Sequence, residues 1–159
     1  LITALGRAFA GFSVGLLGPE ARKDSGDVLL KLNDETLWEG FSEELADILI
    51  NHLGKAGRVG TESAANQLGI NLSWDYLNPR VSDWARAYAG QLVTFVTQGT
   101  KERVRQIVTE ALQSGAGWRT VREKLTGEFS RARAERIART EVIRAHTQGA
   151  LLGYEESGV

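Results

Sequence analysis

Apolar residues recur at helical intervals along most of the chain. Leu37, Phe41, Leu45, Ile48, Leu49 and Leu53 form one stripe. Trp84, Tyr88, Leu92, Phe95 and Val96 form a second, and Val104, Ile107, Val108, Ala111 and Leu112 a third. Trp118, Val121, Leu125 and Phe129 form a fourth. Nowhere do apolar and polar residues alternate for long enough to predict a strand. The pattern predicts an all-α, multi-helix domain with short loops, a long C-terminal helix and an N-terminal helical arm.

Local signals divide these stripes. Residues 1–17 are apolar, carry Arg7 and three glycines, and read as an arm that packs on a neighbour. The stretch is at the short end for a membrane span, and no membrane association is expected. Gly18-Pro19 should end it, and residues 20–27 read as a polar linker. Asp34 is placed to cap the next helix, which Gly54 and Gly57 should close. Gly54, Gly57 and Gly60 follow at intervals of three without a preceding strand, so a loop is expected there rather than a nucleotide site. Thr61 should then cap a short helix through Gln67, with Gly69 as its stop, and residues 70–72 read as a short extended piece. Asn78-Pro79 predicts a helix start, Gly99-Thr100 a stop and a new cap, and Gly115 and Gly117 a break. Either Ser130 caps the last helix or that helix runs on from the one before it. The resulting expectation is three parts: 1–27 as arm and linker, 28–77 as an N-terminal helical part, and 78–159 as a helical core.

The last helix, from Arg131 to Leu152, has polar residues in unusual places. At roughly 100° per residue, Ile137, Ala138, Val142, Ala145, Gly149 and Leu152 share a side. Glu141 and Gln148 point into that stripe, with Thr140 and Arg144 along its edge. A carboxylate facing a core is costly unless it is paired, and Arg144 is the nearest partner.

Composition, 42% apolar and 25% charged, is that of an ordinary globular chain of 159 residues. There is no cysteine, which excludes disulfides and thiolate metal sites within this segment. His52 and His146 are isolated, so neither a metal nor any other cofactor is expected. His52 is read as sitting near a helix C-terminus, where the dipole favours it, and His146 as a surface residue. The chain begins with Leu and has no Met, so it reads as a fragment of a longer polypeptide. Charge is uneven: residues 20–62 hold five basic and ten acidic groups, while 101–147 hold eleven basic and six acidic. Such asymmetry suits either a surface for an acidic partner or two solvated faces of opposite sign.

Ile137-Ala138-Arg139-Thr140-Glu141, followed by Arg144-Ala145, Gly149 and Gly153-Tyr154 through Val159, resembles the signature of the phage head morphogenesis family. These are the minor head proteins of tailed phages, the Mu F-like family. The resemblance covers about the second half of the chain, from Asn78-Pro79 onward. It implies a minor head protein acting in capsid assembly at the portal vertex. Its partners would be the portal protein and other head proteins, with oligomers and contact to packaged double-stranded DNA as further expectations. It would reside in the virion head after assembly in the host cytoplasm. Some relatives are fused to a portal protein, and related sequences precede toxin domains.

On these grounds Arg139, Thr140, Glu141, Arg144 and Gln148 are expected to form a structural polar network or a partner contact. No catalytic residue is assigned, because a lone carboxylate without a second acid, nucleophile or phosphate loop is an incomplete site. Arg119, Arg122, Lys124, Arg131, Arg133 and Arg136 are the candidates for DNA contact through a salt-sensitive, sequence-independent attraction. The rival reading for these residues is solvated surface charge. The aromatics at helical spacing, Trp38, Trp84, Tyr88 and Trp118, are read as core, and Trp74-Asp75-Tyr76 as a loop able to present an aromatic contact. Two function classes compete with assembly by contact: a non-specific DNA-binding helical module, and a delivery domain ahead of an effector.

Overall fold

A computed structural model of the chain describes residues 1–17, 25–71 and 73–158. Six helices account for nearly all of them: α1 (Ile2–Leu17), α2 (Ser25–Leu32), α3 (Glu35–Leu68), α4 (Trp74–Ser114), α5 (Trp118–Glu128) and α6 (Arg131–Ser157). There is no strand among the described residues, so the all-α expectation holds. Gly18-Pro19 and most of the expected linker lie outside the described residues.

Several helix ends follow the local chemistry of the sequence. Asp34 Oδ1 accepts the Thr36 N–H at 3.1 Å, capping α3. Gly69 and Gly115 take φ of +65° and +66°, and the chain leaves α3 and α4 there. Ser130 caps α6, its Oγ accepting the Arg133 N–H at 3.4 Å.

Two interior signals do not act as stops. α3 runs unbroken through Gly54, Gly57 and Gly60, and α4 runs through Gly99-Thr100. Thr61 therefore caps nothing, and His52 sits mid-helix, its Nδ1 2.7 Å from the Ile48 carbonyl. Thr100 turns its hydroxyl back onto its own helix, donating to the Val96 carbonyl at 2.6 Å. A helical glycine costs only about 1 kcal/mol relative to alanine, which the packing of flanking turns outweighs. α4 also begins before Asn78-Pro79: Trp74-Asp75-Tyr76 is its first turn rather than a loop, and Pro79 lies inside it.

The chain forms two compact units, neither of them a continuous stretch. One comprises Ile2–Leu45 and Val93–Glu135; the other comprises Leu1, Ala46–Leu92 and Arg136–Val159. The boundaries expected at 27/28 and 77/78 do not coincide with them, because α3, α4 and α6 each contribute to both.

The first unit is built on aromatic rings. Phe12 packs against Phe41, Trp38 and Phe129 with ring centroids 4.2, 4.6 and 5.3 Å away. Phe9 meets Phe41 and Phe129 at 5.8 and 6.5 Å. α1 is thus part of this core, not an arm, with Leu5, Ala8, Leu16 and Leu17 buried beside the rings. Trp38 is buried and its Nε1 donates to the Leu32 carbonyl at 3.1 Å, satisfying its polar atom. Phe95, expected in the buried stripe of α4, is 77% exposed. Val96 is buried as expected, and Val93 and Thr97 are buried beside it.

The second unit is built on small residues. Its buried positions include Gly57, Gly60, Ala64, Ala85, Ala89, Ala138, Ala145 and Gly149. None of its described aromatic side chains is buried; Trp84, Tyr88 and Tyr154 are all half-buried.

Candidate functional site

The described residues of the 137–159 segment lie in the second unit, where α6 meets α3 and α4. Two contacts fix α6 there.

The first is with α3. Both helices present glycine at the contact, and their backbones touch. A Cβ on Gly60 would strike the His146 carbonyl, and one on Gly149 would strike the backbone of Gly57. A Cβ on Gly57 would stand 2.8 Å from Val81 Cγ1. Thr61 follows one position after Gly60, and its buried hydroxyl lies 2.9 Å from the Gly149 carbonyl and 3.1 Å from the Gly57 carbonyl of its own helix. The Gly54-x-x-Gly57-x-x-Gly60 series, expected as a loop, is therefore helical, and its Gly57-x-x-Gly60 part is a face flat enough for a second backbone, while Gly54 has open space where a Cβ would stand. Spacing by three on a helix could have signalled this, since it places small residues close to one side.

The second contact is with α4. Glu141 is 5% exposed. Tyr88 of α4 donates its hydroxyl to Glu141 Oε2 at 2.7 Å, and Arg144 donates to the two carboxylate oxygens at 3.2 and 3.0 Å. Arg144 also contacts the Tyr88 hydroxyl and lies over the ring, 5.3 Å from its centroid. Trp84 stacks on Tyr88, 5.3 Å away and 6° from parallel. Burial pushes the Glu141 carboxyl above its ordinary value. The arginine is half-exposed and water screens its attraction, so loss of hydration dominates. The group that the sequence pattern misses is Tyr88, expected only as core; nothing in the sequence reveals that its hydroxyl reaches an acid 53 residues away.

Of the five expected network residues, only Glu141 and Arg144 come together. Arg139 and Thr140 point to solvent, and Gln148 is half-buried without joining them. Chemically, the carboxylate accepts two donors and locks the rotation of α6 about its own axis. His146 is half-buried, and what it contributes to the glycine contact is its backbone carbonyl. No group of three or more metal-ligating side chains occurs among the described residues.

The candidate DNA-contacting residues divide among several roles. In the first unit, Arg119 pairs with Glu123 at 3.4 Å, Arg131 with Glu135 at 3.3 Å and Lys124 with Glu110 at 3.9 Å. Arg133 is half-buried: it donates to the Glu128 carbonyl and to Thr100 Oγ1, both at 2.9 Å, and lies over the Phe9 ring at 5.5 Å. Arg122 is exposed in this unit, and Arg136 is exposed in the other. No helix among the described residues is long and apolar enough to cross a membrane. No family model, curated protein or solved structure matches the chain.

Proposed function

We propose that this chain is a helical structural domain of a minor head protein, acting in capsid assembly at the portal vertex by contact with portal and other head proteins. The reading rests on the likeness of the 137–159 segment to the head morphogenesis signature. One observation carries it further: Glu141, Arg144 and Gly149 of that signature fix α6 against its neighbours. A motif used this way suits a rigid platform that presents a surface. A reaction would need the carboxylate accessible to a substrate, whereas Glu141 is buried and already accepts two donors. The direct DNA-binding alternative draws less support, because most of its candidate residues are ion-paired or hydrogen-bonded within the fold.

Quantitative peptide mass spectrometry of purified heads and virions from the source phage or induced prophage tests the proposal. Recovery of this chain at low copy together with the portal protein is the expected result. Its absence from heads at every assembly stage, despite detectable expression, would contradict it.

A further inference from the structure

Among the described residues, many exposed charges have ion-pair partners. Arg58 pairs with Glu62, Arg80 with Glu155 and Glu156, and Lys101 with Glu35. Exposed charges without an ion pair also occur elsewhere among these residues, as at Arg7, Lys55, Glu102, Arg105 and Arg122, but two helix faces gather several of one sign. On α6, Arg136 and Arg139 are exposed and no described residue pairs with them. The same face continues into Ile143 and Leu151, which are 67% and 48% exposed. On α3, Glu39, Glu43, Glu44 and Asp47 are exposed and likewise without ion-pair partners among the described residues. They lie opposite the buried side of that helix, made by Trp38, Phe41, Leu45 and Leu49.

We infer that the exposed face of α6 binds the acidic face of α3 from a second copy of this chain. Charge complementarity selects the partner, and the spacing fits. Run antiparallel, Arg136 falls opposite Asp47 and Arg139 opposite Glu43 and Glu44. Ile143 is seven residues beyond Arg136, and Gly40 is seven residues before Asp47, so both lie about 10.5 Å along their axes. Ile143 thereby falls on the one position of the acidic stripe without a side chain. Gly40 is exposed, with open space where a Cβ would stand, so a side chain can seat against its backbone. Two different faces of the same chain make a head-to-tail contact, which leads to rings or open arrays rather than closed pairs. Exposed ion pairs contribute little each and are weakened by salt, so association should be concentration-dependent and salt-sensitive. The inference stands on these two faces alone and does not depend on the minor head reading.

Sedimentation equilibrium on the whole chain tests it, with Arg136→Glu/Arg139→Glu and Glu43→Arg/Asp47→Arg as paired variants. All four positions are exposed, and circular dichroism checks that both variants fold. At low salt the unaltered chain should gain average mass with concentration and return to single-chain mass at high salt. Each reversal variant alone should stay at single-chain mass, and an equimolar mixture should associate again. An unaltered chain that stays single at every concentration in low salt would overturn the inference. So would either variant associating like the unaltered chain, or a mixture that remains single while the unaltered chain associates. Retention of double-stranded DNA through Arg136 and Arg139 by a chain that stays single would overturn it too, and would identify the face as an anion site.

Discussion

The two units reach a packed interior by opposite routes. In the aromatic unit, large rings fill the space between helices: Phe9, Phe12, Trp38, Phe41 and Phe129 form one continuous set of contacts. In the glycine unit, the helices approach until backbone meets backbone at Gly57, Gly60 and Gly149. The first arrangement depends on side-chain volume, and removing volume should damage it. The second depends on the absence of volume, and adding it should do the damage. The glycine unit also buries a carboxylate, whereas the aromatic unit's buried polar residues are threonines, Thr97 and Thr100. Polar specificity and close backbone contact occur together on α6.

The largest expected effect is in the aromatic unit. Phe12→Ala should cost about 3–5 kcal/mol, because a ring touching three others leaves a cavity that helices cannot readily close. Chemical denaturation gives the number, and a loss below about 1 kcal/mol would mean the cluster is loosely packed.

Next is the buried acid. Glu141→Ala should cost about 1–3 kcal/mol by removing the acceptor of Tyr88 and Arg144. An unchanged melting temperature would count against the network. The pH dependence sharpens the point. The carboxyl is raised above its ordinary 4.5, so the folded state holds its proton over a window where the unfolded chain has lost it. Its contribution is fully present below the unfolded value and is lost as pH rises through the folded value. Glu141→Gln should remove that slope. Stability profiles of the two proteins that stay parallel from below 4.5 to neutral pH would contradict it.

How much the sequence reveals also differs between the units. The α3 stripe and the stripe from Trp118 to Phe129 follow from helical spacing alone: Phe41, Leu45, Leu49, Leu53, Val121, Leu125 and Phe129 are buried, while Leu37, Ile48 and Trp118 are half-buried. Phe95 misleads because its spacing fits the stripe while its direction falls outside the packed arc; only neighbouring helices decide that. In the glycine unit, the position of Glu141 on an apolar stripe correctly marks a buried, paired acid. Tyr88 is not recoverable as its partner, since helical spacing says nothing about which helices meet. The glycine series fails for a related reason. Glycine signals a stop in an isolated helix, and a contact surface once a second helix lies across it. Local sequence cannot separate these meanings without Gly149, 89 residues beyond Gly60.

The most direct test is therefore a matched pair of substitutions, Gly149→Ala and Gly99→Ala, unfolded side by side in denaturant. Both glycines are helical, and only Gly149 has a backbone where its Cβ would go; Gly99 has nothing within 4 Å. Gly99→Ala should stabilise the chain by about 0.5–1 kcal/mol through helix propensity. Gly149→Ala should instead destabilise it by about 1–3 kcal/mol, because α6 must move away from α3. Opposite signs would establish that α6 is held by backbone contact. Stabilisation by both would contradict that, and with it the role of the glycine series as a helix-contact surface.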